Sequence, residues 1–262
     1  MDKKFLLDRA AKDAEERILL ARVLDKYEQS STRNIPAHTD FLSPAEQRAA
    51  RDLLHAAAVH DGFVFLGGYE RAERKILCFL SSWQEEADDA DYMTALRCAF
   101  HGDGTLTHRD LLGSLMGLQI TRGKIGDILV GDTSADLIVS RDIADYLLQN
   151  LTSAGRVKLS VVPIELGELA VPELNVKVIR DTVSTLRLDA VAGAGFSMSR
   201  AKAQELISSG RVQLNHRETL KSDAPVAQGD IVSARGLGKF EVAEVGGLSK
   251  KGRTGITLHR YL

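Results

Sequence analysis

Arg200, Lys202 and Arg211 fall within twelve residues of one another near the C-terminus. A helix from Arg200 to Ser208 turns Ala203, Leu206 and Ile207 inward and leaves these cations in or beside one outer face. Ser197 or Ser199 can cap its start, and Gly210 supplies the left-handed turn that ends it. The helix N-terminus near Ser199 adds amide donors and the positive end of the dipole. Amide donors and a row of cations suit a phosphate track. Arg187 extends that face, and Lys250, Lys251 and Arg253 form a loop-borne basic extension.

Other chemistry is poorly provided for. The seven histidines (His38, His55, His60, His101, His108, His216, His259) show no His-x-x-x-His spacing, and Cys78 and Cys98 make no Cys-x-x-Cys pair. Two cysteines cannot build a four-Cys zinc site or a disulfide framework, so free, buried thiols are expected. His108 beside Asp110 reads as a helix start. Gly67-Gly68 falls between two apolar runs, where glycine is ordinary turn chemistry. With no nucleophile elbow, phosphate loop or metal set, the chain is expected to be non-catalytic, with no cofactor and no metal.

The elements that must position these residues follow from periodicity. Leu6, Ala10, Ala14, Ile18 and Ala21 form one stripe of a helix from Lys3 to Tyr27. Ser43, Pro44 and Glu46 start a second helix whose buried face is Leu53, Leu54, Ala57 and Ala58. The period then changes. Phe63–Leu66 and Ile76–Leu80 suit a hairpin, Thr94–Phe100 reads as strand or helix, and Thr107 with Asp110 opens a helix to Met116. Ile125–Val130 and Asp136–Val139 make another hairpin, Ser140 caps a helix to Leu151, and Val157–Ile164 is a strand. Beyond Asp181, helices at Arg187–Ala194 and Arg200–Ser208 precede strands at Val212–Asn215, Asp230–Ala234 and Lys239–Val245.

The 262 residues carry a net charge of −2, unevenly spread. Residues 183–262 hold twelve Lys and Arg against seven acids, a net of +5, whereas residues 1–182 hold 22 against 29, a net of −7. A basic module on an acidic body points to a polyanion partner at one end. No stretch approaches the roughly 18 apolar residues of a spanning helix, and Asp2 interrupts any signal-peptide core. The chain is expected to stay in the cytosol, away from membranes.

From Arg187-Leu188-Asp189 through Ser199-Arg200, Gly210-Arg211-Val212 and Asn215 to Gly229-Asp230, the chain resembles the S4 RNA-binding domain. His216 departs from it, since Gly or an aromatic usually follows Asn215. S4 domains accompany pseudouridine synthases, whose catalytic Asp follows Arg-Leu. Here Ala190-Val191-Ala192-Gly193 continues in place of the expected Thr-Ser-Gly, so Asp189 reads as a salt-bridge or turn partner. They also accompany methyltransferases, but Gly193-Ala194-Gly195 follows no strand.

A second resemblance spans the chain. Phe41–Glu46, Gly68–Arg74, Leu106–Gly113, Lys124–Ile128 and the run from Gly246 to Arg253 are similar to the YlmH family. That resemblance implies a helical N-terminus, an RRM-like middle domain and a C-terminal S4 domain. It also implies a role at the large ribosomal subunit, in rescue of stalled particles bearing peptidyl-tRNA.

The expected architecture is therefore α+β: a helical region over residues 1–60, an RRM-like α+β domain over 61–180, and an S4 domain with a basic tail over 181–262. Arg187, Ser199, Arg200, Lys202, Arg211, Asn215, Lys250, Lys251 and Arg253 are the expected RNA-binding residues. Tyr69 with Phe63 or Phe65 would be the place for base stacking in the middle domain, although these read better as core and turn residues. The expected partners are rRNA on the large subunit, tRNA, and a protein partner on acidic residues 1–182. The rival readings are an adaptor localised by its S4 domain and an RNA-modifying enzyme with a site hidden in the middle domain.

Overall fold

The helix expected from Lys3 to Tyr27 is broken at Asp13. In the computed structural model, which describes residues 3–100, 106–173, 175–249 and 252–261, α1 (Lys3–Ala10) and α2 (Ala14–Arg33) are separate. Asp13 is extended and its carboxylate accepts the Glu16 amide, so it caps a new helix. The break resets the phase. Leu7, Leu20, Val23 and Leu24 are buried, whereas Ile18, on the expected stripe, is 57% exposed.

A strand not expected from the sequence, β1 (Ala37–Leu42), precedes α3 (Pro44–Ala56). Ser43 and Glu46 cap α3 reciprocally, as their spacing predicts. Ala58 is not on its buried face; it is exposed, just past the helix end, with φ of 60°. Then come β2 (Phe63–Leu66) and β3 (Lys75–Phe79). β1 pairs with β3 in an antiparallel sheet of order β1-β3-β2, which ties residues 37–42 to 75–79 across the expected boundary at 60. One face of this sheet packs Leu77 and Phe79 under Leu20, Leu24, Leu53 and Leu54.

The next sheet is built from α4 (Asp89–Tyr92), β4 (Met93–Phe100), α5 (His108–Gly117), β5 (Ile125–Val130), β6 (Ser134–Ser140), α6 (Ala144–Asn150), β7 (Ser153–Ala154) and β8 (Val157–Ile164). Its order, β5-β6-β4-β8-β7, is that of a βαββαβ, RRM-like domain. Alternation settles Thr94–Phe100 as strand: Leu96, Cys98 and Phe100 face Leu111, Leu115 and Leu147 of the two helices. Ser140 makes no side-chain cap; a 3₁₀ turn at Arg141–Ile143 leads into α6 instead. The two cysteines are buried free thiols.

The chain divides into two compact units, residues 1–172 and 173–262. The second holds β9 (Val176–Val183), α7 (Leu188–Gly195), α8 (Arg200–Ser208), β10 (Val212–Leu214), β11 (Arg217–Glu218), β12 (Ile231–Ala234), β13 (Gly238–Leu248) and β14 (Thr254–Tyr261). Both helices cover one face of a sheet of order β11-β10-β12-β13-β14-β9. Just beyond the expected basic extension at Lys250, Lys251 and Arg253, residues 254–261 form β14, an internal strand with Ile256 and Leu258 in the core. Gly195 is set by packing, because a Cβ there would lie 2.2 Å from the Phe240 ring.

Candidate nucleic-acid interface

Asp189 organises the second unit's outer helical surface. It lies in the first turn of α7, and its side chain is fully buried. Arg200 donates to it from the start of α8 at 3.0 Å, Gln204 at 2.8 Å, and Arg187 from the α7 cap position at 3.3 and 3.4 Å. Burial by itself would raise its pKa; the bonds from Gln204, Arg200 and Arg187 outweigh that and hold it below the usual carboxylate range. The expected reading of Asp189 as a salt-bridge partner is what the geometry shows. One carboxylate against two guanidiniums leaves a net positive charge, and the Arg187 and Arg200 side chains remain 38% and 48% exposed. Each keeps donors for a phosphate oxygen.

The remaining expected residues are not all gathered here. The Ser199 hydroxyl accepts the Lys202 amide at 3.3 Å, so it caps α8, and the Lys202 side chain is exposed in the same first turn, two residues beyond Arg200. Arg211 lies past the far end of α8, at least about 12 Å of helix away, with its guanidinium on the Arg235 carbonyl at 3.2 Å. Asn215 and His216 form a two-residue turn with φ of 52° and 64° between Leu214 and Arg217, so His216 in place of glycine leaves the turn tight. The Asn215 carboxamide donates to Asp230 at 2.7 Å and accepts the Ile231 amide at 2.9 Å, which makes it a fold-holding residue. Arg253 starts the approach to β14 and donates to the Thr182 carbonyl on β9. Lys250 and Lys251 lie outside the described residues.

Two residues join this surface that the sequence did not single out. Gln204 is the third donor to Asp189. Lys221 is exposed one position before Ser222, whose carbonyl receives the Asp189 amide at 3.0 Å. Periodicity marks Gln204 as outward-facing, but nothing local ties Lys221 to α7.

Residues 186–232 match the family description "S4 domain", residues 15–80 match "YlmH, N-terminal", and residues 102–168 match "Putative RNA-binding domain in YlmH". The chain is 37% identical to "Ribosome-associated protein quality control protein P2" of Bacillus subtilis (strain 168), over 85% of this chain and 86% of that protein. The chain belongs to the YlmH family. A solved structure, "Cell division protein ylmH from Streptococcus pneumoniae", superposes with a TM-score of 0.52 at 15% identity, covering 62% of this chain and 98% of that one, and so shares the fold.

In this YlmH-family chain the RRM-like sheet offers no stacking platform. The face opposite its helices carries Met93, Ala95, Arg97 and Ala99 on β4 and Ser134, Asp136, Ile138 and Ser140 on β6, none of them aromatic. Met93 and Ile138 are covered by Phe41, Leu66, Ile76 and Cys78 of the first sheet. Phe63 and Phe65 pack into the helical core, and Tyr69 donates to Asp127 at 2.8 Å, in keeping with core and turn roles. Among the described residues, no His, Cys, Asp or Glu group is arranged to hold a metal, and no helix is long and apolar enough to cross a membrane.

Proposed function

We propose that this chain is a non-catalytic factor that attaches to rRNA of the large ribosomal subunit through Arg187, Arg200 and Lys202, with Arg211, Lys250, Lys251 and Arg253 adding affinity. Its task is quality control at stalled complexes carrying peptidyl-tRNA. The observation that carries the reading is Asp189 holding two partly exposed arginines at the α7–α8 junction of an S4 domain. The name of the Bacillus subtilis relative supports the ribosomal setting.

The test is sedimentation of the purified chain with separated subunits across a salt series. Co-migration with the large subunit, lost steeply as salt rises and lost in Arg200→Glu/Lys202→Glu, supports the proposal. Failure to bind either subunit at low salt overturns it.

A second reading, a protein partner on the acidic first unit, is favoured by Trp83. This side chain is 67% exposed in a turn pinned by the Ser82 amide on Asn34, and Glu85 and Glu86 follow it. A basic protein retained after nuclease treatment and lost in Trp83→Ala supports that reading.

A further inference from the structure

The five-stranded sheet leaves one of its strands half paired. β8 lies against β4 from Leu159 to Ile164, but β7 covers its other side only at Val157 and Lys158. The Leu159 amide still reaches the Thr152 carbonyl on that side, at 2.9 Å. The two-residue period of a strand then turns the Val161 N–H and C=O and the Pro163 C=O the same way. No strand of the described residues pairs with them there. Pro163 has no N–H to offer, so the open edge presents one donor and two acceptors.

Beside this edge lies a groove of about 600 Å³ between α6, α4 and the adjoining ends of β4 and β8. Leu96 and Pro163, directly opposite one another across β4 and β8, line it with Ala144, Leu148 and Ile164. The charged lining is Asp145, Glu165 and Glu168 against Arg141, a net of −2. Arg141 donates to the Ala90 carbonyl. Glu165 and Glu168 accept one another's backbone amides, and a carboxylate has acceptor capacity beyond one such bond. Arg97 reaches the Glu168 carbonyl, but its charge is matched by Asp136.

An apolar floor under an acidic rim suits a side chain with an aliphatic stem and a cationic head. The same carboxylates repel a phosphodiester backbone. An open strand edge suits an extended chain, whose alternate side chains would fall on the face of Leu96 and Pro163 and so enter the groove.

We infer that the β8 edge and the groove beside α6 bind an extended Lys- or Arg-bearing segment of a partner protein. Main-chain bonds to Val161 and Pro163 hold it, and Asp145, Glu165 and Glu168 receive its cations. The inference deepens the protein-partner reading of the first unit, with a site built on residues other than Trp83.

The test is fluorescence anisotropy of the full chain with two labelled ten-residue peptides of alternating Lys and Thr, one plain and one N-methylated along its backbone. Wild type is expected to bind the plain peptide and to bind the methylated one, of equal charge, about tenfold or more weakly. Asp145→Lys is expected to lose a similar factor for the plain peptide. Glu28→Lys, the same change of charge on α2, should not. Both side chains are exposed, so thermal unfolding should move little in either variant.

No binding of the plain peptide, equal binding of the methylated one, or undiminished binding by Asp145→Lys overturns the inference. If Trp83→Ala abolishes peptide binding and Asp145→Lys does not, the groove fails while the protein-partner reading stands. A chain that binds neither the peptide nor any basic protein after nuclease treatment fails both. Loss of tRNA binding in Asp145→Asn with peptide binding unchanged would make the groove an RNA contact, and would overturn the inference as well.

Discussion

Arg97 and Asp136 face each other across β4 and β6, with Nε and Nη2 each 2.8 Å from a carboxylate oxygen. Asp136 is 1% exposed and also accepts the Ala170 amide at 2.8 Å, while Arg97 reaches the Glu168 carbonyl at 2.7 Å. The pair thus pins the 168–170 segment across the sheet face on which an RNA-recognition fold would stack bases. Arg97→Ala leaves a buried carboxylate uncompensated and should lower the urea midpoint well beyond the effect of a surface substitution. An unchanged midpoint would show that the carboxylate is not desolvated as described.

Acid should act through the same group and through Asp189. In both, burial raises the pKa, but hydrogen bonds from arginine and their other donors outweigh it, so the folded value lies below the ordinary 3.8. The unfolded chain then binds more protons as pH falls through that value, and stability drops with it. Full stability is expected above about pH 5 and progressive loss below about pH 4. Asp136→Asn should flatten that dependence, read as urea midpoints at several pH values.

Arg211 offers a contrast with Arg200. It sits at the opposite end of α8, turned onto the Arg235 carbonyl. Arg211→Glu should weaken subunit binding less than Arg200→Glu, and the two effects should add, since the sites share no partner. Equal, non-additive effects would place both on one contact.

Gly195→Ala should destabilise the second unit by about 2–3 kcal/mol, because the new methyl group overlaps the Phe240 ring and α7 must shift. The first unit's own unfolding transition should be unaffected. Ala58→Gly should act in the opposite direction, adding about 0.5–1 kcal/mol by relieving a left-handed alanine at φ of 60°.

Cys98 and Cys78 should resist alkylation at pH 8 until the chain unfolds. Burial pushes Cys98 up to about 12 and raises Cys78 as well, so neither offers thiolate in the folded state. Rapid native-state labelling would contradict the burial of both strands.

Much of this was legible locally. The reciprocal caps at Ser43/Glu46 and Thr107/Asp110, the Ser199 cap of α8 and the +5 against −7 charge division are written in neighbouring residues, because capping and periodicity act over three or four positions. The motifs from Arg187 to Asp230 likewise announced an S4 domain.

What only the tertiary structure decided is long-range. β1 and β14 are short on pattern and owe their existence to partners far along the chain, β3 for the one and β13 and β9 for the other. Asp189 gains its role from donors eleven and fifteen residues away. Whether a sheet face is open or covered depends on which other sheet is packed against it. Local periodicity says that a residue is buried; it does not say by whom.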